Sequence, residues 1–78
     1  MCYVYILLLN NGKFYIGFSE NLKQRVEEHQ IGRVSATKLF LPAELVFYAA
    51  FKAKKKALGF EKYLKSHSGF AFRNKRLV

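Results

Sequence analysis

Apolar and polar positions divide this chain into five elements. Tyr3 to Leu9 is an unbroken β-rich run of strand length, and Lys13 to Gly17 is a second strand candidate. Asn10-Asn11-Gly12 lies between them, a strong hairpin signal. From Glu20 to Ile31 the pattern turns helical, with Leu22, Arg25, Val26 and His29 inside one arc. Leu22 and Val26 supply the packing, with Arg25 and His29 at its margin. Ser19 suits the N-cap, Glu20 complements the first turn and Gly32 suits the stop. Residues 32–42 read as a loop with a short helical turn, and Glu44 to Phe51 as a third strand. Ala53 to Ser66 reads as a second helix, with Ala57, Phe60 and Leu64 lining one face. It ends near Ser68-Gly69 and leaves a short basic tail, Phe70 to Val78, read as helical.

One residue of hairpin register decides what the two strands present together. With Asn11-Gly12 alone as the turn, Tyr15 faces Leu8 and lies on the opposite face from Tyr5. With all three residues in the loop and Gly12 left-handed, Leu7 pairs with Tyr15 and Tyr5 with Gly17. Both tyrosines then share a face, and Gly17 leaves room beside Tyr5. The three-residue loop is the expected one.

Glu61 breaks the second helix's pattern. It falls on the apolar stripe, four residues after Ala57 and three before Leu64. A carboxylate turned toward an interior is costly unless paired or bound to a metal.

Composition narrows the class. Seventy-eight residues, 51% hydrophobic and 17% aromatic, make one folded domain with a modest core, residues 1–78, of small α/β (α+β) type. The lone Cys2 cannot form an internal bridge, which fits a reducing compartment. There is no signal-peptide pattern, and Tyr3 to Leu9 is too short to span a bilayer. A cytoplasmic protein without a membrane partner is expected. The net charge of +9 is lopsided: residues 1–39 carry +2 and residues 40–78 carry +7. With Lys54-Lys55-Lys56 in one run, a polyanionic partner is favoured slightly over a merely soluble surface.

Tyr3-Val4-Tyr5, Tyr15-Ile16-Gly17 ten residues after Tyr5, Arg25 with His29 four residues on, and Glu61 come in a recognisable order. The chain thereby resembles a stand-alone GIY-YIG nuclease domain, the module also found at the N-terminus of the excinuclease C subunit and in homing endonucleases. The first signature keeps only its tyrosine strictly, while the second is intact. Phe18 stands where the excinuclease domain has lysine, and Ser35 and Thr37 lie where some homing members have a second histidine. Asn74 stands loosely for an asparagine common near the domain's end.

The resemblance implies a three-stranded antiparallel sheet flanked by helices, and metal-dependent hydrolysis of DNA phosphodiesters, in repair, recombination or mobile-element processing. It also implies a site of Tyr5, Tyr15, Arg25, His29 and Glu61. The chemistry suits those residue types. Glu61 with waters and phosphate oxygens would hold Mg²⁺ or Mn²⁺. Arg25 would clamp the scissile phosphate through its planar fork. Tyr15 would position or deprotonate the water, with Tyr5 in support and His29 as the other candidate base. Lys54, Lys55, Lys56, Lys65, Arg73 and Asn74 are the expected DNA contacts, dominated by backbone phosphate and low in sequence specificity. Taken singly, each residue has an ordinary structural reading, such as packing tyrosines with wet hydroxyls or a lysine on Glu61. The alternatives are a non-catalytic nucleic-acid-binding module and an interaction subunit with protein partners in a repair assembly.

Overall fold

The computed structural model describes residues 1–66. Its elements follow the sequence pattern closely: β1 Cys2–Leu8, β2 Phe14–Ser19, α1 Leu22–Gln30, a short 3-10 turn Lys38–Phe40, β3 Glu44–Phe51 and α2 Lys54–Lys65. The basic tail from Phe70, with Arg73 and Asn74, lies outside the described residues; α2 itself ends at Lys65 with Ser66 as its extended C-cap, short of the end expected near Ser68-Gly69.

The three strands form one antiparallel sheet in the order β2-β1-β3. The central position of β1 explains its unbroken apolar run. Val4, Ile6 and Leu7 are fully buried and Tyr5 is 1% exposed, because both faces of β1 are covered. On one face Cys2, Val4, Ile6 and Ile16 pack with Ala57 and Leu64 of α2. On the other, Tyr5, Leu7, Leu9 and Ala43 form a second cluster, against which Tyr15, Leu22, Leu41 and Leu45 pack.

The hairpin takes the three-residue loop. Tyr5 pairs with Gly17 and Leu7 with Tyr15, so the two tyrosines share a face. Leu9 N–H donates to Lys13 O and Gly12 N–H to Leu9 O, both within about 3 Å, with Gly12 at φ 80°. That left-handed residue lets the loop close without shifting the register.

One expectation at α1 is corrected. The N-cap is Asn21, whose Oδ1 accepts from Gln24 N–H at 3.2 Å; Ser19 instead ends β2 and accepts from Asn21 N–H. Both residues are good caps by type, and the strand's extra two residues carry the chain past Ser19 before it can coil. At the other end Gly32 N–H reaches His29 O and Arg33 N–H reaches Glu28 O, a Schellman closure as the glycine predicts.

Candidate active site

Arg25 and His29 come from α1, and both tyrosines from the face of the β1–β2 hairpin turned toward that helix. Tyr5 lies in β1, and its ring crosses the neighbouring strand above Gly17. A Cβ at Gly17 would overlap Tyr5 Cζ and Oη and lie 2.9 Å from Cε1. The missing side chain is thus the space the ring occupies. Tyr15, half-buried, has its ring centroid 5.0 Å from the His29 ring and 6.4 Å from the Tyr5 ring.

His29 overturns the expectation that it sits at the helix margin. Its exposure is 0%, and it lies at the centre of the inward arc, seven residues after Leu22 and three after Val26. Such a position is tolerable only because both ring nitrogens are engaged. Nε2 is 2.8 Å from the Tyr5 hydroxyl and Nδ1 is 2.8 Å from Thr37 Oγ1. With both nitrogens so occupied, His29 has none left to orient or deprotonate a water directly. Thr37 completes the set and is also 0% exposed. The sequence pointed to it only as one of two residues, with Ser35, standing where some homing members have a second histidine, and not as a partner of His29.

Burial, and next the nearby Arg25 charge, hold His29 below its ordinary pKa, with Glu28 opposing. The ring is therefore neutral in the folded protein near pH 7. The unfolded chain takes up a proton near the ordinary value of 6.5, and the folded protein only at lower pH. The unfolded state then binds more protons in the window below 6.5, so stability falls as pH drops through it. Urea unfolding midpoints are expected to decrease from pH 7.5 to pH 5.5, and His29→Gln is expected to flatten that decrease. An unchanged slope in the variant would remove His29 as its source.

Arg25 is half-exposed, pairs with Glu28 at 3.2 Å and donates toward the Tyr5 hydroxyl, the contact that chiefly strengthens its hold on the proton. Burial raises the Tyr5 pKa; Arg25 partly offsets this, while the charges of Tyr15 and Glu61 add to the rise. Tyr5 is therefore a neutral phenol with a cation beside it.

Glu61 lies on α2, which packs against the other face of the sheet, and its charge is the smallest of the influences that raise or lower the Tyr5 pKa. Its side chain is 19% exposed, and Oε2 accepts from Lys65 Nζ at 3.2 Å. Lys65, expected on DNA, is thus engaged with the carboxylate. No group of three or more His, Cys, Asp or Glu side chains capable of holding a metal occurs among the described residues. A single partly open carboxylate does suit a hard divalent cation that keeps most of its waters. Lys54, Lys55 and Lys56 form the exposed first turn of α2, whose Ala53 N-cap has no side-chain bond. Lys54 Nζ lies 6.0 Å over the Phe18 ring, so a cation stands beside the residue that replaces the excinuclease domain's lysine. Among the described residues no helix is long and apolar enough to cross a membrane.

Known proteins resemble this chain in sequence and in fold. The family model described as the GIY-YIG catalytic domain matches residues 1–76. A UPF0213 protein of Lacticaseibacillus paracasei is 39% identical over 64 residues, covering 81% of this chain and 72% of the relative. A UPF0213 protein of Staphylococcus epidermidis is 33% identical over 67 residues, covering 85% and 82%. The solution NMR structure of a UPF0213 protein from Bacillus halodurans superposes with a TM-score of 0.61 at 28% identity, over 99% of this chain and 87% of that one.

Proposed function

The chain belongs to the GIY-YIG catalytic domain family, and from that premise we propose that it is a divalent-metal-dependent DNA endonuclease serving repair, recombination or mobile-element processing. The observation that carries this reading is the convergence of Tyr5 and Tyr15 on one face of the hairpin with Arg25 beside the Tyr5 hydroxyl.

Each residue has a role the geometry suits. Arg25 binds the scissile phosphate, its half-exposed guanidinium offering donors beyond those spent on Tyr5 and Glu28. Tyr15, the more accessible phenol, positions the attacking water or takes its proton. Tyr5 supports it beside the phosphate. His29, enclosed and bonded at both nitrogens, acts through Tyr5. Glu61 would hold Mg²⁺ or Mn²⁺, which when bound supplies Lewis-acid stabilisation of charge on the phosphate and the leaving oxygen. Glu61 must release Lys65 to do so. Lys54, Lys55 and Lys56 extend the basic surface along α2, placed for backbone phosphates and not for base edges.

The pairing of Glu61 with Lys65 favours one alternative, a nucleic-acid-binding module without turnover, in which lysine permanently occupies the carboxylate.

Cleavage of supercoiled plasmid and a branched oligonucleotide with Mg²⁺ or Mn²⁺ separates the two. Metal-dependent nicking is expected for the wild type. Arg25→Lys is expected to lower its rate on the order of 10²-fold, because a point charge cannot reproduce the fork. Salt-sensitive DNA binding by both proteins with nicking by neither would refute the endonuclease and leave the binding module.

A further inference from the structure

Tyr5, His29 and Thr37 form a buried chain of three polar groups, and its direction can be worked out. The two bonds are 2.8 Å each, Tyr5 Oη to His29 Nε2 and His29 Nδ1 to Thr37 Oγ1. A neutral imidazole carries one N–H and one lone pair, so the chain has two arrangements. In the first, Tyr5 donates to Nε2 and Nδ1–H donates to Thr37. The hydroxyl hydrogen of Thr37 then needs another acceptor. No hydrogen bond from it to any group other than His29 occurs among the described residues. Val34 O, the carbonyl that the Thr37 backbone reaches, already accepts from Thr37 N–H at 3.1 Å and Lys38 N–H at 3.0 Å. Thr37 is 0% exposed, so that hydrogen would be stranded in the interior. In the second arrangement Thr37 donates to Nδ1, and Nε2–H donates to the Tyr5 oxygen. The spare hydrogen is then Tyr5's own; Tyr5 is itself 1% exposed and no acceptor for this hydrogen occurs among the described residues, so it is left for a ligand oxygen entering beside Arg25 and the half-buried Tyr15.

We propose that Thr37 is a positioning residue: its hydroxyl holds His29 as the Nε2–H tautomer, which turns the Tyr5 hydroxyl hydrogen outward to donate to a non-bridging phosphate oxygen of the substrate. The substrate half of this statement rests on the endonuclease reading above; the tautomer half does not. The arrangement gives Tyr5 a defined task. Its oxygen accepts from His29 while its hydrogen meets an oxygen on which charge develops, so its donor strength grows along the reaction. Tyr5 loses this polarity if the ring turns its lone pair toward it, because the phenol hydrogen is then spent inward on Nε2. The ordinary view of Thr37, a loop residue filling space, requires only its shape. The Nε2–H assignment requires its hydrogen.

Nitrogen-15 NMR of the histidine-labelled full chain at pH 7.5 reads the tautomer directly, with or without catalysis. The wild type is expected to show His29 Nε2 protonated and Nδ1 with a free lone pair, in one form. Thr37→Ser is expected to keep that form and a nicking rate near wild type. Thr37→Val, which keeps the shape, is expected to populate both tautomers and to lower kcat on the order of tenfold or more with little change in KM. A wild-type ring protonated on Nδ1, or a Thr37→Val ring that keeps the single Nε2–H form, overturns the proposal without dependence on activity. So does an equal loss of kcat in Thr37→Ser and Thr37→Val. The expected tautomer in a protein that cuts no DNA upholds the role of Thr37 and refutes the substrate instead.

Discussion

Gly17→Ala is expected to remove nicking activity and lower stability together. The added Cβ collides with Cζ and Oη of Tyr5. The ring cannot yield easily, because Tyr5 is 1% exposed and tied at its hydroxyl to His29. Overpacking of this kind costs about 1–3 kcal/mol, a fall in Tm on the order of 10 °C for a domain of this size. Any relief that swings the ring away breaks the Tyr5–His29 bond and withdraws the hydroxyl from Arg25, so the rate loss should exceed about 10². A double-mutant cycle checks the cause. In a Tyr5→Leu background the shorter side chain leaves room, and Gly17→Ala should cost far less stability than in the wild type. Equal costs in both backgrounds would mean that the collision is not what the glycine avoids.

Glu61→Gln is expected to leave stability nearly unchanged and to do more to catalysis. The amide keeps the shape and loses the charge, so a divalent cation held there would lose its carboxylate ligand. A rate loss of at least about 10³ should follow, with DNA binding kept or strengthened as α2 becomes more positive. Stability should change by less than about 1 kcal/mol, since the lost ion pair involves a Lys65 side chain that is 54% exposed. The comparison of nicking with the urea midpoint therefore separates the two readings of Glu61. A variant that cuts normally removes it as the metal's ligand. One that loses several kcal/mol of stability makes it a structural ion pair.

The two experiments differ in what they perturb. Gly17 is a matter of space within the sheet, and Glu61 a matter of charge delivered from a helix on the sheet's other face.

Much of this protein was legible in one dimension because the informative signals are local or periodic. The hairpin loop is set by Asn10-Asn11-Gly12, and a left-handed glycine closing a three-residue loop leaves only one register, which places Tyr5 opposite Gly17. The α2 stripe follows from a 3.6-residue period, and Lys54–Lys65 begins and ends where that period does. Glu61 stood out for the same reason, as a carboxylate at a position the period reserves for apolar side chains. The order of the tyrosines, Arg25 and Glu61 was enough to identify the family.

Whether His29 lay at the edge or the centre of its helix was not legible, because the residue's polarity argues for the edge. Its burial is decided by partners 24 residues before it and eight after it, which the sequence does not pair. Lys65 was legible by contrast, since it lies four residues after Glu61 on the same helix, within reach of the carboxylate it pairs with. Sequence by itself determined the elements, the hairpin register and the family, since each rests on backbone preference or short-range spacing. Only the tertiary structure decided which polar groups satisfy one another in the interior, because a buried hydrogen bond depends on where two distant segments meet.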